Sequence, residues 1–245
     1  MPGIGRIVAS ERLFRDKGIT LRGPGLCALT LWGPRPGEAV TVCDPDGRLF
    51  RARLLALSVE SADMTAFEEI GPSEPGPDIT LIQALPERER MELILQKAAE
   101  LGVTRVLPFK SSKSISLDEL DSRQRRSHNW GAIALKAAKQ SRRPDIPEIL
   151  PYAELGGALG LAQEAGLKIM LSERPGIETL KGLLDKTQRP VRAAALLVGP
   201  EAGLTDEEAK RAEGAGFVPV SLGQRILRTE TAAIFGVGVL RYELG

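Results

Sequence analysis

Residues 193–233 read AAALLVGPEAGLTDEEAKRAEGAGFVPVSLGQRILRTETAA, and the pattern of this stretch decides the fold. AAALLV is a continuous apolar run of strand length that stops at Gly199-Pro200-Glu201-Ala202-Gly203. Thr205 followed by Glu208 is a capping box, which starts a helix over about 205–214. FVPVSL is a second apolar run. It ends in the loop Gly223-Gln224-Arg225-Ile226-Leu227-Arg228, before another helix begins near Thr229. Strands that are apolar throughout and separated by helices predict a parallel sheet covered on both faces.

The same alternation extends upstream. ITLIQAL (79–85) reads as a strand, and a helix over about 88–101 comes next, with Met91, Ile94, Leu95, Ala98 and Leu101 at helical spacing before Gly102. VTRVLPF is the next strand, and a second helix is expected over about 118–141, with Trp130, Ile133, Ala134, Ala137 and Ala138 on one face. Then come a helix at 153–165, the strand LKIMLS and a helix at 177–187. The last helix, 229–243, is apolar almost all round between Ala232 and Leu240, so it is predicted to be buried, by its own domain on one side and a partner subunit on the other. Gly and Pro fill five of the eight positions of GPSEPGPD (71–78), which neither helix nor strand can continue. The expected domains are therefore 1–71 and 79–245, joined by a linker at 72–78. In the first, AVTVCD and RLFRARLLAL flank a PDG turn as a hairpin would, so a small β-barrel or sheet is expected.

Composition excludes several functions. With 42% hydrophobic and 27% charged residues, the 245-residue chain is ordinary for a soluble globular protein. No apolar run is long enough to span a membrane, and the opening MPGIGRIVASERLFRDKG lacks the apolar centre of a secretory signal, so a cytoplasmic location is expected. Cys27, Cys43 and His128 are the only cysteines and histidine, too few and too scattered for a zinc site, and no metal is expected. His128 falls in RQRRSHNW, read as the exposed start of a helix. Between Arg105 and Arg143 ten basic residues face three acidic ones. That excess suits a phosphate-neutralising patch, and it suits a solvated helix face equally.

Ligands of open parallel sheets bind beyond the carboxyl ends of the strands. The two loops quoted above lie at such ends, and their glycines let the main chain approach a ligand closely. Neither a phosphate-binding loop ending in Gly-Lys-Ser/Thr nor the dinucleotide fingerprint is present. Arg225 and Arg228 frame Ile226 and Leu227, an apolar pair in a loop, which predicts a loop held in a defined shape.

LLVGPEAGLTDEEAKRAEGAGFVPVSLGQRILRTETAA (196–233) and MELILQKAAELGVTRVLPF (91–109) together resemble the RsmE family of the SPOUT superfamily. The resemblance covers roughly residues 79–243. It implies an α/β methyltransferase domain with a deep trefoil knot, a rare exception to unthreaded chains, preceded by a PUA-like β-barrel that grips RNA. It also implies S-adenosylmethionine as cofactor, a homodimer, and methylation of N3 of a uridine in helix 44 of 16S ribosomal RNA in the small ribosomal subunit (uridine 1498 in conventional numbering). The cofactor would lie against Leu171 and Glu173, against Val198, Gly199, Pro200, Glu201 and Gly203, and against Leu222, Gly223, Ile226, Leu227 and Arg228. Arg228 is the expected catalytic group, steadying charge on the uracil oxygens as N3 loses its proton. Glu201 and Glu230 are expected to hold the loop and that arginine in place. Arg123, Arg126, Lys139, Arg142 and Arg143 are the expected RNA contacts.

The chain departs from the family pattern at several points. Ala202 stands where the family has glycine in GPEGG, Lys139 and Arg142 replace the glutamate and glycine of a run ending EQSGR, and Glu87 occupies a commonly basic position. The segment from Cys27 to Gly33 lacks the histidine and both arginines of the family's N-terminal run. Two readings therefore stay open beside the first. One is a diverged paralogue that methylates another RNA, and the other a non-catalytic RNA-binding assembly factor.

Overall fold

Alternation along the strands, together with helices that each bury one side, sets how the chain divides. The computed structural model describes residues 3–72, 76–86, 89–122, 125 and 127–245. Two compact units result: Met1–Pro75 with Leu135–Pro147, and Gly76–Ala134 with Glu148–Gly245. The expected cut into 1–71 and 79–245 thus misplaces one segment. Ala138 and Ile146 belong to the first unit's core, and Ile146 exchanges backbone hydrogen bonds of 2.9 and 2.8 Å with Ile4. The expectations for Glu87, Arg123 and Arg126 lie outside the described residues.

In the first unit, β1 (Gly18–Leu21), β2 (Ala39–Cys43), β3 (Arg48–Leu57) and β4 (Ala62–Pro72) form an antiparallel sheet in the order β1-β4-β3-β2. The hairpin expected around PDG is present. Asp44 Oδ1 accepts from the amides of Asp46 (3.0 Å) and Arg48 (2.9 Å), and Gly47 takes a φ of 80° that suits glycine. An all-β reading misses α1 (Gly23–Trp32). Its Leu26, Leu29 and Trp32 are buried at helical spacing, Pro24 opens it, and Gly33 closes it in the left-handed region at φ 52°.

The second unit carries the site. Its sheet comprises β5 (Asp78–Ala84), β6 (Arg105–Lys110), β7 (Glu148–Ile149), β8 (Ala153–Glu154), β9 (Leu167–Leu171), β10 (Ala193–Val198) and β11 (Val218–Val220). The order is β11-β9-β10-β5-β6-β7, with β8 also on β6, and every pairing is parallel. Alternate side chains enter two cores, as a pleated strand demands. Ile79, Leu81, Leu196 and Ile169 pack with α2 (Arg90–Glu100), α6 (Leu180–Lys186) and α8 (Thr229–Leu244). Ile82, Leu197 and Met170 pack with α5 (Leu155–Leu161) and α7 (Asp206–Gly214). Helix α8 lies so close to β10 that a Cβ on Gly236 would stand 2.9 Å from Leu196 Cδ2.

Two helices differ from expectation. The single helix expected over 118–141 is α3 (Leu117–Asp121), a 3-10 turn at Ser127–Asn129, and α4 (Trp130–Gln140). Asp121 supplies the break: its carboxylate accepts from the Ser127 amide and hydroxyl, a local bond that competes with helix. The helix expected at 153–165 shortens to α5, because Ala153 and Glu154 pair with β6 and the three glycines of LGGALGL are poor helix formers. Within this chain, helix α8 is buried on one side only. Ala233, Val237 and Leu240 are buried, whereas Phe235 is 50% exposed and Tyr242 86% exposed. Among the described residues, no helix is long and apolar enough to cross a membrane.

Candidate active site

Because all the pairings are parallel, the loops after β9 (172–179), β10 (199–204) and β11 (221–228) emerge at one end of the sheet, side by side. They enclose a cavity of about 1050 Å³. All twelve residues expected to hold a cofactor line it, from Leu171 and Glu173 through Val198–Gly203 to Leu222–Arg228. The loop after β11 is tied on both sides. Ser221 exchanges backbone bonds of 2.9 Å with Glu178 and Leu180. Thr229 Oγ1 donates to the Gly199 carbonyl at 2.7 Å and accepts from Gln83 Nε2 at 3.1 Å. Gly223 at φ 121° and Gly203 at φ 67° adopt backbone that favours glycine. Ala202, by contrast, has an ordinary negative φ, so its methyl strains nothing in the loop.

The loop after β10 runs into the expected capping box. Thr205 Oγ1 accepts from the Glu208 amide, and Glu208 Oε2 accepts from the Thr205 amide at 2.9 Å. Glu208 also reaches the loop after β6, accepting from the Ser112 amide at 2.7 Å and the Ser111 hydroxyl at 3.1 Å. Burial alone would raise its pKa, but the bonds from Thr205, Ser112 and Ser111 outweigh burial and hold the carboxyl below its usual value. A lowered carboxyl pKa stabilises the fold above the unfolded value, and that contribution is lost as pH falls through the folded value. Glu208→Gln should therefore cost about 1–2 kcal/mol at pH 7, with the gap to the parent closing below about pH 4. Urea unfolding at pH 7 and pH 3 checks this; a gap that does not change with pH would contradict it.

Arg228 and Glu201 both face the cavity, but they do not form the pair expected of them. Arg228 is exposed, and its side chain makes no hydrogen bond or ion pair among the described residues. Glu201 is bonded instead to Arg90, Nη1 to Oε1 at 2.6 Å. Arg90 Nε also lies 3.9 Å from Glu230 Oε2. Ile226 is 81% exposed: the apolar pair is held by its loop but Ile226 is left uncovered by this chain. Three residues escaped the sequence reading, and two of them had a signal. Arg90 opens α2, where the helix dipole opposes a cation. Gln83 is a polar side chain in the middle of an apolar strand and is fully buried. Thr229 is buried beside it.

Of the expected RNA contacts, Lys139 is half-buried near the end of α4, and Arg142 is exposed and 3.3 Å from Glu68. Arg142 sits at φ 57°, which explains a glycine there in the family pattern. Arg143 is a correction. Its guanidinium is 9% exposed and bonds Asp145 at 2.9 Å, and Asp145 in turn accepts from the Gly3 amide, so this arginine anchors the first unit instead of facing solvent. His128 is exposed. Among the described residues, no group of three or more His, Cys, Asp or Glu could hold a metal.

A cavity built from three loops at the carboxyl edge of a parallel sheet is where such α/β folds bind their ligands. The family model described as RNA methyltransferase domain matches residues 73–241. Ribosomal RNA small subunit methyltransferase E of Mesomycoplasma hyopneumoniae is 34% identical over 67% of this chain and 70% of its own length. That of Bacillus subtilis is 28% identical over 84% and 82%. A crystal structure of the Neisseria gonorrhoeae protein of that name, bound to S-adenosyl methionine, has a TM-score of 0.65 and 31% identity, covering 99% of this chain and 97% of that one. The chain belongs to the ribosomal RNA small subunit methyltransferase E family.

Proposed function

We propose that this chain methylates N3 of a uridine in 16S ribosomal RNA, uridine 1498 of helix 44 in the small ribosomal subunit, in the cytoplasm and as a homodimer. S-adenosylmethionine would be held in the cavity at the carboxyl ends of β9, β10 and β11. The observation that carries this reading is the convergence of the three loops, with an Arg228 that has no partner among the described residues, in one cavity of a chain of this family. The residues fit the cofactor. The volume is that of a small-molecule site, Leu171, Leu222 and Leu227 supply apolar walls, and main-chain groups beside Gly199 and Gly223 can meet an adenine edge. A Cβ on Gly199 would stand 3.1 Å from the Leu204 amide nitrogen, so glycine there lets the loop fold tightly on itself.

When bound, S-adenosylmethionine supplies a methyl group that leaves with its former bonding pair kept on sulfur. The chain's own contribution is placement and charge. Uridine N3 must release its proton, which passes to solvent, and negative charge then spreads onto the adjacent carbonyl oxygens. Arg228, exposed in the cavity wall, is the donor for that charge. Glu201 acts as no base in this account; its carboxylate holds Arg90.

The bonds of Ser221 to the loop after β9 and of Thr229 to the loop after β10 support a knotted threading of the C-terminal run. The antiparallel sheet of the first unit supports a PUA-like, RNA-gripping role, with Lys139 and Arg142 as phosphate contacts. The apolar face of α8 around Phe235 supports a second subunit as its cover. The decisive experiment is transfer of labelled methyl from S-adenosylmethionine to small ribosomal subunits that lack the modification, with product nucleosides identified by mass spectrometry. N3-methyluridine at the helix 44 site is the expected product. Transfer to a different nucleotide would indicate a paralogue, and a failure to bind S-adenosylmethionine a non-catalytic factor.

A further inference from the structure

Uridine N3 is flanked by two carbonyl oxygens, O2 and O4, and loss of its proton places charge on both. One guanidinium on one side serves only part of that charge. The cavity wall carries three further arginines, Arg90, Arg174 and Arg225, and of these Arg90 is the one held by carboxylates of the site itself. Arg90 lines the same cavity, and it does so from the first turn of α2, where the positive end of the helix dipole disfavours it. Two carboxylates hold it there: Glu201 by a 2.6 Å bond to Nη1, and Glu230 at 3.9 Å from Nε. Glu230 is only 12% exposed, and its Oε2 has no hydrogen-bond partner among the described residues. A simple cross-link between α2 and the loop after β10 would need one carboxylate, not two.

We propose that Arg90, clamped by Glu201 and Glu230, is a second catalytic arginine that binds one of the two uracil carbonyl oxygens beside N3 while Arg228 binds the other. This rests on the uridine-N3 reading above. A guanidinium carries five N–H donors in a fixed fork, so the bond to Glu201 leaves donors for a substrate oxygen. The clamp fixes the fork before the base arrives, which is what makes such a donor effective against developing charge. Glu201 and Glu230 are positioning residues in this arrangement. The other charged groups lining the cavity are Glu173, Arg174, Asp206 and Arg225.

The test uses full-length protein with Arg90→Gln and Arg90→Lys, unmodified small ribosomal subunits and S-adenosylmethionine. Single-turnover transfer is followed across pH, and equilibrium affinities for the cofactor alone and for the subunit alone are measured separately. Melting temperatures establish that both variants fold. Arg90→Gln should slow transfer at pH 7 by about thirtyfold or more, in the range for removal of one oxyanion donor. Its rate profile should move to higher pH by about one unit, because the N3 anion is less stabilised, while both affinities stay within about threefold. Arg90→Lys keeps the charge without the fork and should fall between. A loss that is equal at every pH and accompanied by weaker cofactor binding makes Arg90 a structural latch and overturns the inference. Weaker subunit binding with a shallower salt dependence makes it a phosphate contact and overturns it too. If the parent protein makes no N3-methyluridine, the functional reading fails first, and this inference falls with it.

Discussion

Arg228→Ala should slow methyl transfer about a hundredfold, or about 2.7 kcal/mol of transition-state stabilisation, while cofactor affinity changes by no more than a few-fold. The size comes from what the side chain does and does not touch. Its guanidinium has no hydrogen bond or ion pair among the described residues, so truncation strands no buried partner. The residue's structural contribution is its backbone: it caps α8 at φ −60°, ψ 150°, and its carbonyl accepts from the Ala232 amide at 2.8 Å. Alanine keeps both. The loss should therefore appear in the chemical step, as a lower rate with unchanged melting temperature. Arg228→Lys should recover part of it, since a point charge replaces a fork. Full activity in the alanine variant would remove Arg228 from the mechanism, and a parallel loss of cofactor affinity would make it a cofactor contact.

The parallel strands were legible because both their faces are buried, which writes AAALLV and ITLIQAL as unbroken apolar runs. The site loops were legible for a related reason: glycines, and an apolar pair between two arginines, make little sense as ordinary turns. Other features were hidden by bonds that composition does not carry. Helix α1 was obscured because GPGLCALTLW is apolar on every side, so the spacing of Leu26, Leu29 and Trp32 does not stand out. The break after Asp121 depends on a single carboxylate reaching Ser127. Arg143 looked like part of a basic patch, yet Asp145 two residues later claims it, and counting charges by sign cannot separate a paired arginine from an open one. The placement of Arg90 was readable as a local misfit with the helix dipole, but its partners, Glu201 and Glu230, lie more than a hundred residues away in the chain. Local rules failed mainly where a side chain is claimed by a partner that the local pattern does not show, whether two residues away, as for Arg143, or more than a hundred, as for Arg90.

Thr229→Val should destabilise the protein by about 2 kcal/mol and weaken S-adenosylmethionine binding about tenfold, an unusual pairing for the loss of one hydroxyl. The two side chains have nearly the same shape, so the change isolates the hydroxyl. That hydroxyl gives its hydrogen to the Gly199 carbonyl at 2.7 Å and accepts from Gln83 at 3.1 Å, with Thr229 5% and Gln83 0% exposed. Removing it leaves a carbonyl and an amide hydrogen facing a methyl group, and a buried group without its partner carries a penalty of about 1–3 kcal/mol. The affinity change has the same origin. The bond joins the first residue of the loop after β10 to the first residue of α8, so two walls of the cavity are set by one contact. Gln83→Leu should lose less, because it leaves the Thr229–Gly199 bond in place and removes the buried, unpartnered Oε1 along with the bond to the Ala84 carbonyl. In the double variant the two losses should fall short of their sum by about 0.5 kcal/mol or more, the mark of a shared network. Thr229→Ser should restore binding. Additive losses, or a Thr229→Val variant that melts and binds like its parent, would mean that packing alone holds these walls.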